Sequence, residues 1–218
     1  MMKAVAIYGS PGSGKGMQAT LLEHNKGFIH FDTGRYLEHV VHDPDRQKNP
    51  IIRRERKLFD GGYLNTPSWV FKIVKDEVTR MSKAREDIVF SGSPRTLFEA
   101  EHLIPLLEKL YGRKNIKFFS LDVPKDVAVN RNISRRICSV CGAVVIDPDV
   151  KHKHCPICRG KLIKRVFDNK ESLVRRFEQY VDRTKPIFDY LKKRGYKIVN
   201  IKGTSTPEVV FNKLSKHI

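Results

Sequence analysis

Cysteine is scarce in this chain of 218 residues, and all four cysteines lie between positions 138 and 158. Disulfide bonds spread over a secreted fold would not cluster in this way, so the distribution argues against a disulfide scaffold and indicates a metal site. Long apolar runs are also lacking, because no stretch approaches the ~20 residues that a membrane-spanning helix needs. The first apolar stretch is too short for a signal peptide, and we therefore expect a cytoplasmic protein with no membrane partner.

Acidic residues are few relative to basic ones: 24 Asp and Glu stand against 42 Lys and Arg, a net charge of +18. Hydrophobic residues make up 40% of the chain and charged residues 30%, a balance that is typical of a globular protein and argues against a disordered one. The positive charge points to phosphate-bearing partners, either nucleotides or nucleic acid. A solvated basic surface with no partner is the alternative.

Short apolar strands alternate with helices along the chain. Apolar spacing predicts strands at 3–8, 27–31, 87–90, 116–122 and 196–201. It predicts helices at 17–24, 33–41, 51–59, 67–81, 96–110, 124–134, 169–194 and 207–215, with Pro186 kinking or dividing the seventh. This alternation predicts an α/β fold with a parallel sheet covered by helices on both faces.

A glycine-rich loop joins the first strand to the first helix. Gly9, Gly14 and Lys15 fit the spacing G-x-x-x-x-G-K, in which backbone N–H groups and a helix N-terminus surround a phosphate. Lys15 adds a mobile positive charge for the β- and γ-phosphates of a nucleotide. Gly16 stands where most such loops carry Ser or Thr for Mg²⁺, and this variant, followed by Gln18, resembles the adenylate kinase family.

The likeness to this family continues in order along nearly the whole chain. It includes Asp32-Thr33-Gly34, Gly62-Tyr63-Leu64, Gly92-Ser93-Pro94-Arg95-Thr96, Asp122-Val123-Pro124, Tyr180 with Thr184 and Pro186, and Gly203-Thr204. The resemblance implies a P-loop core at 1–33, 65–130 and 169–218, a monophosphate-binding segment at 34–64 and a zinc-binding lid at 131–168. It implies phosphoryl transfer from ATP to a nucleoside monophosphate, foremost AMP, with Mg²⁺ bridging the phosphates.

The resemblance also implies the residues that hold the substrates. Gly12, Ser13, Gly14, Lys15, Gly16, Met17, Arg131 and Thr204 are expected to bind ATP. Thr33, Arg35, Leu64, Arg95, Glu99, Arg165 and Arg176 are expected to bind the monophosphate. Lys15, Arg95, Arg135, Arg165 and Arg176 are expected to gather positive charge on the phosphate chain while a closing lid excludes water. Each arginine taken alone is as well explained by a solvated helix surface.

Two Cys-x-x-Cys pairs carry the metal prediction. Cys138 and Cys141 form the first pair, and Cys155 and Cys158 form the second, with thirteen residues between them. This spacing predicts a structural zinc ion held by four thiolates, with no open coordination position. His152 and His154 lie nearby and could replace a thiolate, but with four cysteines at hand we expect both on the surface.

Four positions depart from the family where chemistry is expected. Ser91 replaces one Asp, and Arg35 replaces a second, so two carboxylates near Mg²⁺ are missing. We expect Asp32 to supply one of them. Glu38 replaces the arginine that grips the monophosphate, and Arg35, three residues earlier on the same helix face, is expected to take its role.

Glu99 is the fourth departure, because the family reads the adenine of AMP with Gln at this position. An ionised carboxylate only accepts hydrogen bonds, which suits the two donors of guanine better than the edge of adenine. The alternative is that Glu99 turns to a neighbouring group and does not read the base.

Two other functions compete with the kinase. One is an RNA-binding protein that reuses the fold, favoured by the net charge and the four-cysteine cluster. The aromatic residues are not interleaved with basic runs as on a base-stacking surface, so nucleic-acid binding is not favoured. The other is a P-loop ATPase, which would release phosphate without any acceptor.

Overall fold

A five-stranded parallel sheet lies at the centre of the structure, a computed structural model that describes residues 1–146, 151–164 and 170–218. The strands are β1 Ala4–Tyr8, β2 Ile29–Phe31, β3 Ile88–Phe90, β4 Ile116–Asp122, β5 Arg135–Cys138, β6 Val144–Ile146, β7 Leu162–Ile163 and β8 Ile198–Lys202. The helices are α1 Lys15–Lys26, α2 Thr33–His42, α3 Pro50–Asp60, α4 Pro67–Lys83, α5 Leu97–Tyr111, α6 Lys125–Ser134, α7 Lys170–Gln179, α8 Pro186–Lys193 and α9 Pro207–Ser215. The central sheet has the order β2-β3-β1-β4-β8 with every pair parallel, which confirms the predicted fold class.

The middle strand β1 is buried on both faces of the sheet. All five of its residues are buried, as expected for an unbroken apolar run in a parallel sheet. Ala6 lies in register with Phe90 on one side and Phe118 on the other, and the three share one core with α4, α5 and α8. Val5 and Ile7 point to the opposite face, where they join a second core with α1 and α9.

The carboxyl ends of the parallel strands position the loops on which the motifs lie. Strand β1 leads into the glycine loop, β2 into Asp32-Thr33, β3 into Ser91-Gly92 and β8 into Gly203-Thr204. Ligands of open α/β sheets bind at this edge, because the loops of neighbouring parallel strands meet there.

The predicted long helix at 169–194 is divided. Helix α7 ends at Gln179, a π-helical turn covers Tyr180–Thr184, and Pro186 begins α8. Proline lacks the N–H for a helical hydrogen bond, so the helix cannot run unbroken past this position. In the widened turn, the N–H of Lys185 reaches back five residues to the carbonyl oxygen of Tyr180 at 3.0 Å.

A second sheet lies in the cysteine-rich insertion. It is antiparallel, with the order β6-β5-β7, and it places the four cysteines near one another. No helix in the described residues is long and apolar enough to span a membrane.

Candidate functional site

The glycine loop wraps around the amine of Lys15. Its Nζ donates hydrogen bonds to the carbonyl oxygens of Gly9, at 2.7 Å, and Ser10, at 2.8 Å. Gly12 has a φ of 84°, and a Cβ at this position would overlap the carbonyl oxygen of Ala128 on α6. Glycine is therefore required at position 12 by both backbone conformation and space. The loop then runs directly into α1, whose N-terminus favours an anion.

Three arginines from separate parts of the chain bring positive charge to Lys15. Burial, together with repulsion from Arg95, Arg176 and Arg135, lowers the pKa of Lys15 to about 7, and the negative charge of Asp32 opposes the shift. Arg95 precedes α5, Arg135 begins β5, and Arg176 lies on α7. This concentration of cations is suited to a polyanion such as the phosphate chain of a nucleotide.

Arg131 and Thr204 lie on the other side of the glycine loop. The guanidinium of Arg131 donates to the carbonyl oxygen of Gly203 at 2.9 Å, so it is tied to the loop that carries Thr204. The same Gly203 lies beside Ser13, whose carbonyl oxygen is 3.3 Å from the site of a Cβ there. Arg165, which the resemblance pairs with Arg176 on the transferred phosphoryl group, lies outside the described residues.

Arg95 lies between the loops that follow β2 and β3. Its Nη2 is 3.2 Å from where a Cβ of Gly34 would be and 2.9 Å from where a Cβ of Gly92 would be. Thr33, beside Gly34, is buried, and its hydroxyl has no hydrogen-bond partner in the described part of the chain. These polar groups surround a place where a phosphate would find a guanidinium and a hydroxyl donor.

Leu64 connects the segment at 34–64 to α7. Its N–H donates to Oε1 of Gln179 at 3.1 Å, and Nε of Arg175 donates to the carbonyl oxygen of Gly61 at 2.9 Å. Sequence reasoning did not single out Gln179 or Arg175, because neither carries a motif. The contacts bring the segment over the same edge of the sheet as the glycine loop.

Arg35 reaches the cysteine-rich insertion. Its two terminal nitrogens lie 2.7 and 2.8 Å from where a Cβ of Gly142 would be, and Gly142 has a φ of 70°. The N–H of Arg35 donates to Oδ1 of Asp32 at 3.2 Å, which caps α2. The role of Arg35 as a grip on the monophosphate therefore stays a prediction, while its guanidinium lies against the insertion at Gly142.

Glu99 is held at the N-terminus of α5. Its Oε2 accepts from the N–H of Arg95 at 3.0 Å, and its Oε1 accepts from the hydroxyl of Thr96 at 3.0 Å. The N–H of Glu99 in turn donates to Thr96 Oγ1 at 3.2 Å. This is a variant of the capping box, because the carboxylate accepts from the N–H of Arg95, one residue before the cap, and the spacing Thr-x-x-Glu could have signalled it. Burial raises the pKa of Glu99, while these hydrogen bonds and the charge of Arg95 oppose the rise.

His30 bonds to one of the substituted positions. Its Nε2 lies 2.8 Å from the hydroxyl oxygen of Ser91, at the ends of β2 and β3. Burial lowers the pKa of His30, and the negative charge of Asp32 opposes that effect. A lone histidine in a strand gave no sequence signal of this contact.

The four cysteine sulfurs lie within 4.8 Å of one another. Sγ of Cys138 is 3.3 Å from Sγ of Cys158, and Sγ of Cys141 is 3.7 Å from Sγ of Cys155. Backbone N–H groups of Val140 and Cys141 point at Sγ of Cys138, at 3.4 and 3.5 Å, and lower the pKa of its thiol. Such donors stabilise thiolates, so the arrangement fits a tetrahedral four-sulfur metal site. His152 and His154 are exposed, as predicted.

Comparison with known proteins gives a family. The family model described as "Adenylate kinase" matches residues 7–196. An adenylate kinase of Caldicellulosiruptor bescii is 33% identical over 196 residues, which cover 88% of each chain. Adenylate kinases of Clostridioides difficile, 30% identical over 95% of this chain and 94% of the relative, and of Methanothrix thermoacetophila, 32% identical over 97% and 96%, are also similar. The glycine loop, the gathered arginines and the four-cysteine insertion are therefore those of a protein that belongs to the adenylate kinase family.

Proposed function

We propose that this protein transfers the γ-phosphoryl group of MgATP to AMP and forms two ADP. The observation that carries the proposal is the convergence of Lys15, Arg95, Arg135 and Arg176 on one loop edge of the sheet. Phosphoryl transfer needs alignment and neutralisation of charge more than covalent chemistry, and these four cations supply both. No general base is required, because the acceptor phosphate is already an anion.

ATP and the monophosphate would bind to different sets of residues in the site. Lys15 and the loop amides hold the ATP phosphates, with Arg131 and the Thr204 loop beside the ATP base. Arg95 and Thr33 hold the phosphate of the monophosphate. Arg135 and Arg176 stabilise the charge on the phosphoryl group during transfer, and the resemblance gives Arg165 the same role.

The proposed metals fit the residues present. The four clustered sulfurs suit structural zinc, which would supply a rigid crosslink in an insertion whose described residues join neither apolar core. For the Mg²⁺ that accompanies ATP, the carboxylate of Asp32 is an oxygen donor whose charge is felt at Lys15. We propose that the core domain comprises 1–33, 65–130 and 169–218, that the monophosphate-binding segment comprises 34–64 and that the lid comprises 131–168.

AMP is supported as the acceptor by the position of Glu99. Both carboxylate oxygens accept hydrogen bonds at the start of α5, so the side chain is occupied in its capping box. The argument for guanine required those oxygens to face a base. We further propose that the enzyme acts in the cytoplasm, where cysteines remain reduced and able to bind metal.

A coupled assay tests the proposal. Purified protein with MgATP is given AMP, GMP, CMP or UMP, each alone, and a reaction without acceptor serves as the control. We expect diphosphate formation with AMP to be fastest and phosphate release without acceptor to be negligible. Faster reaction with GMP than with AMP would indicate that Glu99 recognises the base of the monophosphate. Phosphate release without an acceptor would instead indicate an ATPase.

A further inference from the structure

The catalytic site does not account for the positive charge of the chain. Seven cations are assigned to the substrates, namely Lys15, Arg35, Arg95, Arg131, Arg135, Arg165 and Arg176. This leaves 35 of the 42 Lys and Arg against 24 Asp and Glu. An excess of about 11 positive charges therefore lies outside the site, more than solubility of a domain of this size requires. The net charge raises the local concentration of any polyanion near the surface.

Part of this charge lines a cavity at the edge of the central sheet. Strand β8 is the last in the sheet order and pairs only with β4, so its other edge is open. A cavity of about 330 Å³ lies there and is lined by Val199, Asn200, Ile201, Lys202, Lys213, Lys216 and His217. Among the described residues no carboxylate lines it, and it is a shallow cavity open to solvent.

The three lysines of this cavity come from two elements. Lys202 ends β8, and Lys213 and Lys216 lie at the end of α9, so strand and helix bring their charges to one place. All three are exposed, and within the described part of the chain none makes an ion pair or a side-chain hydrogen bond. The carboxylate of Asp122 lies in register beside Lys202 but does not line the cavity.

Some other exposed cations are neutralised by a neighbouring carboxylate. Arg80 pairs with Glu77 at 2.6 Å, and Arg113 pairs with Glu108 at 2.8 Å. We infer that the cavity between β8 and the end of α9 is an accessory site for the phosphate groups of a polyanion. Because the cavity has no lining Phe, Tyr or Trp, it holds the phosphates and does not stack on bases.

Two simpler roles for these lysines make a different prediction. Lysines discourage pairing at an open strand edge, and lysines in a last helical turn complement the helix dipole. Neither role requires affinity for an anion. Binding measurements therefore separate an accessory site from surface lysines that serve only the fold.

The test uses a labelled single-stranded DNA oligonucleotide of about 20 nucleotides, followed by fluorescence anisotropy. Excess MgADP fills the catalytic site throughout. The variant Lys202→Gln/Lys213→Gln/Lys216→Gln is compared with Lys72→Gln/Lys75→Gln/Lys83→Gln, which removes three exposed lysines from α4 and the same net charge. Thermal unfolding verifies that both variants are folded.

We expect the cavity variant to bind at least tenfold more weakly at low salt, with the α4 variant within about threefold of the parent chain. Loss of three phosphate contacts lowers the salt slope, log K against log salt concentration, by about two. Inorganic tripolyphosphate is then added as a competitor. Displacement of the oligonucleotide by tripolyphosphate supports a site open to any phosphate chain. If tripolyphosphate does not displace the oligonucleotide, while only the cavity variant loses affinity, the result supports a site for the phosphodiester backbone.

Two outcomes would overturn the inference. One is that the parent chain binds neither the oligonucleotide nor tripolyphosphate while MgADP is present. The other is that the two triple variants lose affinity equally, because binding then follows net charge and not the cavity. The kinase assay reports instead on Lys15 and the arginines gathered near it, so a failure of the accessory site and a failure of the proposed function are distinguishable.

Discussion

Binding of MgATP should cause Lys15 to take up a proton. In the structure Lys15 is half-buried and lies near three arginines, and desolvation and their repulsion lower the pKa of its amine from the ordinary 10.5 to about 7. Phosphates placed against this amine supply the opposite charge and raise its pKa toward the ordinary value. A group whose pKa rises on binding takes up protons, so the sign of the effect follows directly.

The size of the uptake depends on pH. Near pH 8, about one Lys15 in ten is protonated without nucleotide and nearly all are protonated with it, which gives an uptake of about 0.9 proton per site. Near pH 6 the amine is already charged, and the uptake falls to about 0.1. The terminal phosphate of ATP loses its last proton near pH 6 and so adds little at pH 8. The dissociation constant should also rise by up to about tenfold per pH unit above pH 8, as protonation becomes costly.

Titration calorimetry in two buffers of different ionisation enthalpy measures the uptake. The matched control is Lys15→Arg, which keeps the positive charge but does not titrate in this range. We expect the variant to take up less than about 0.2 proton near pH 8. Equal uptake by the two proteins at pH 8, or no uptake by the parent chain, would refute the electrostatic account of the loop.

Three further predictions concern stability and the insertion. Burial alone would raise the pKa of Glu55, but hydrogen bonds from Thr66, Arg54 and Asn65 hold this pKa below its usual value. The carboxylate therefore stabilises the folded state at pH values above its pKa in the unfolded chain. This stabilisation is lost as the pH falls through its pKa in the folded protein. Glu55→Gln should therefore cost about 2 kcal/mol at pH 7 in denaturant unfolding, and an undiminished difference near pH 3 would contradict this reasoning. Gly142→Ala should lower the unfolding temperature, because position 142 has a positive φ and the new Cβ would approach Arg35. The unfolding temperature should fall by less when Arg35 is also replaced by Ala. Equal losses in both backgrounds would show that the contact with Arg35 is irrelevant. Chelator titration should find one zinc per chain and none retained by Cys141→Ser, with the central sheet still folded; full zinc retention by that variant would exclude four-sulfur coordination.

Local sequence patterns predict most of the secondary structure elements. The buried strand Ala4–Tyr8 and the glycine loop after it could be read from neighbours in sequence, because burial on both faces demands an apolar run and the loop demands glycines. The division of the long helix at Pro186 was likewise anticipated from the chemistry of one residue. The lengths of elements shifted by a few residues, as with β2, which begins at Ile29 and not at Gly27.

Contacts between distant residues required the folded chain. Both carboxylate oxygens of Glu99 accept hydrogen bonds at the start of α5, a contact that the sequence offered as one of two interpretations, and its role toward a base stays a prediction. The guanidinium of Arg35 lies beside Gly142, more than a hundred residues away, and its role at the monophosphate also stays a prediction.

The sequence alone thus determined the fold class, the phosphate loop and the spacing of the four cysteines, because each depends on residues close together in the chain. Only the tertiary structure decided which side chains share a space. Arg95 follows the parallel strand β3, Arg135 begins β5 of the insertion and Arg176 lies on α7, and all three bring charge to Lys15 only because the folded chain returns to one edge of the central sheet. That return is a property of packing the whole chain, and no short segment encodes it.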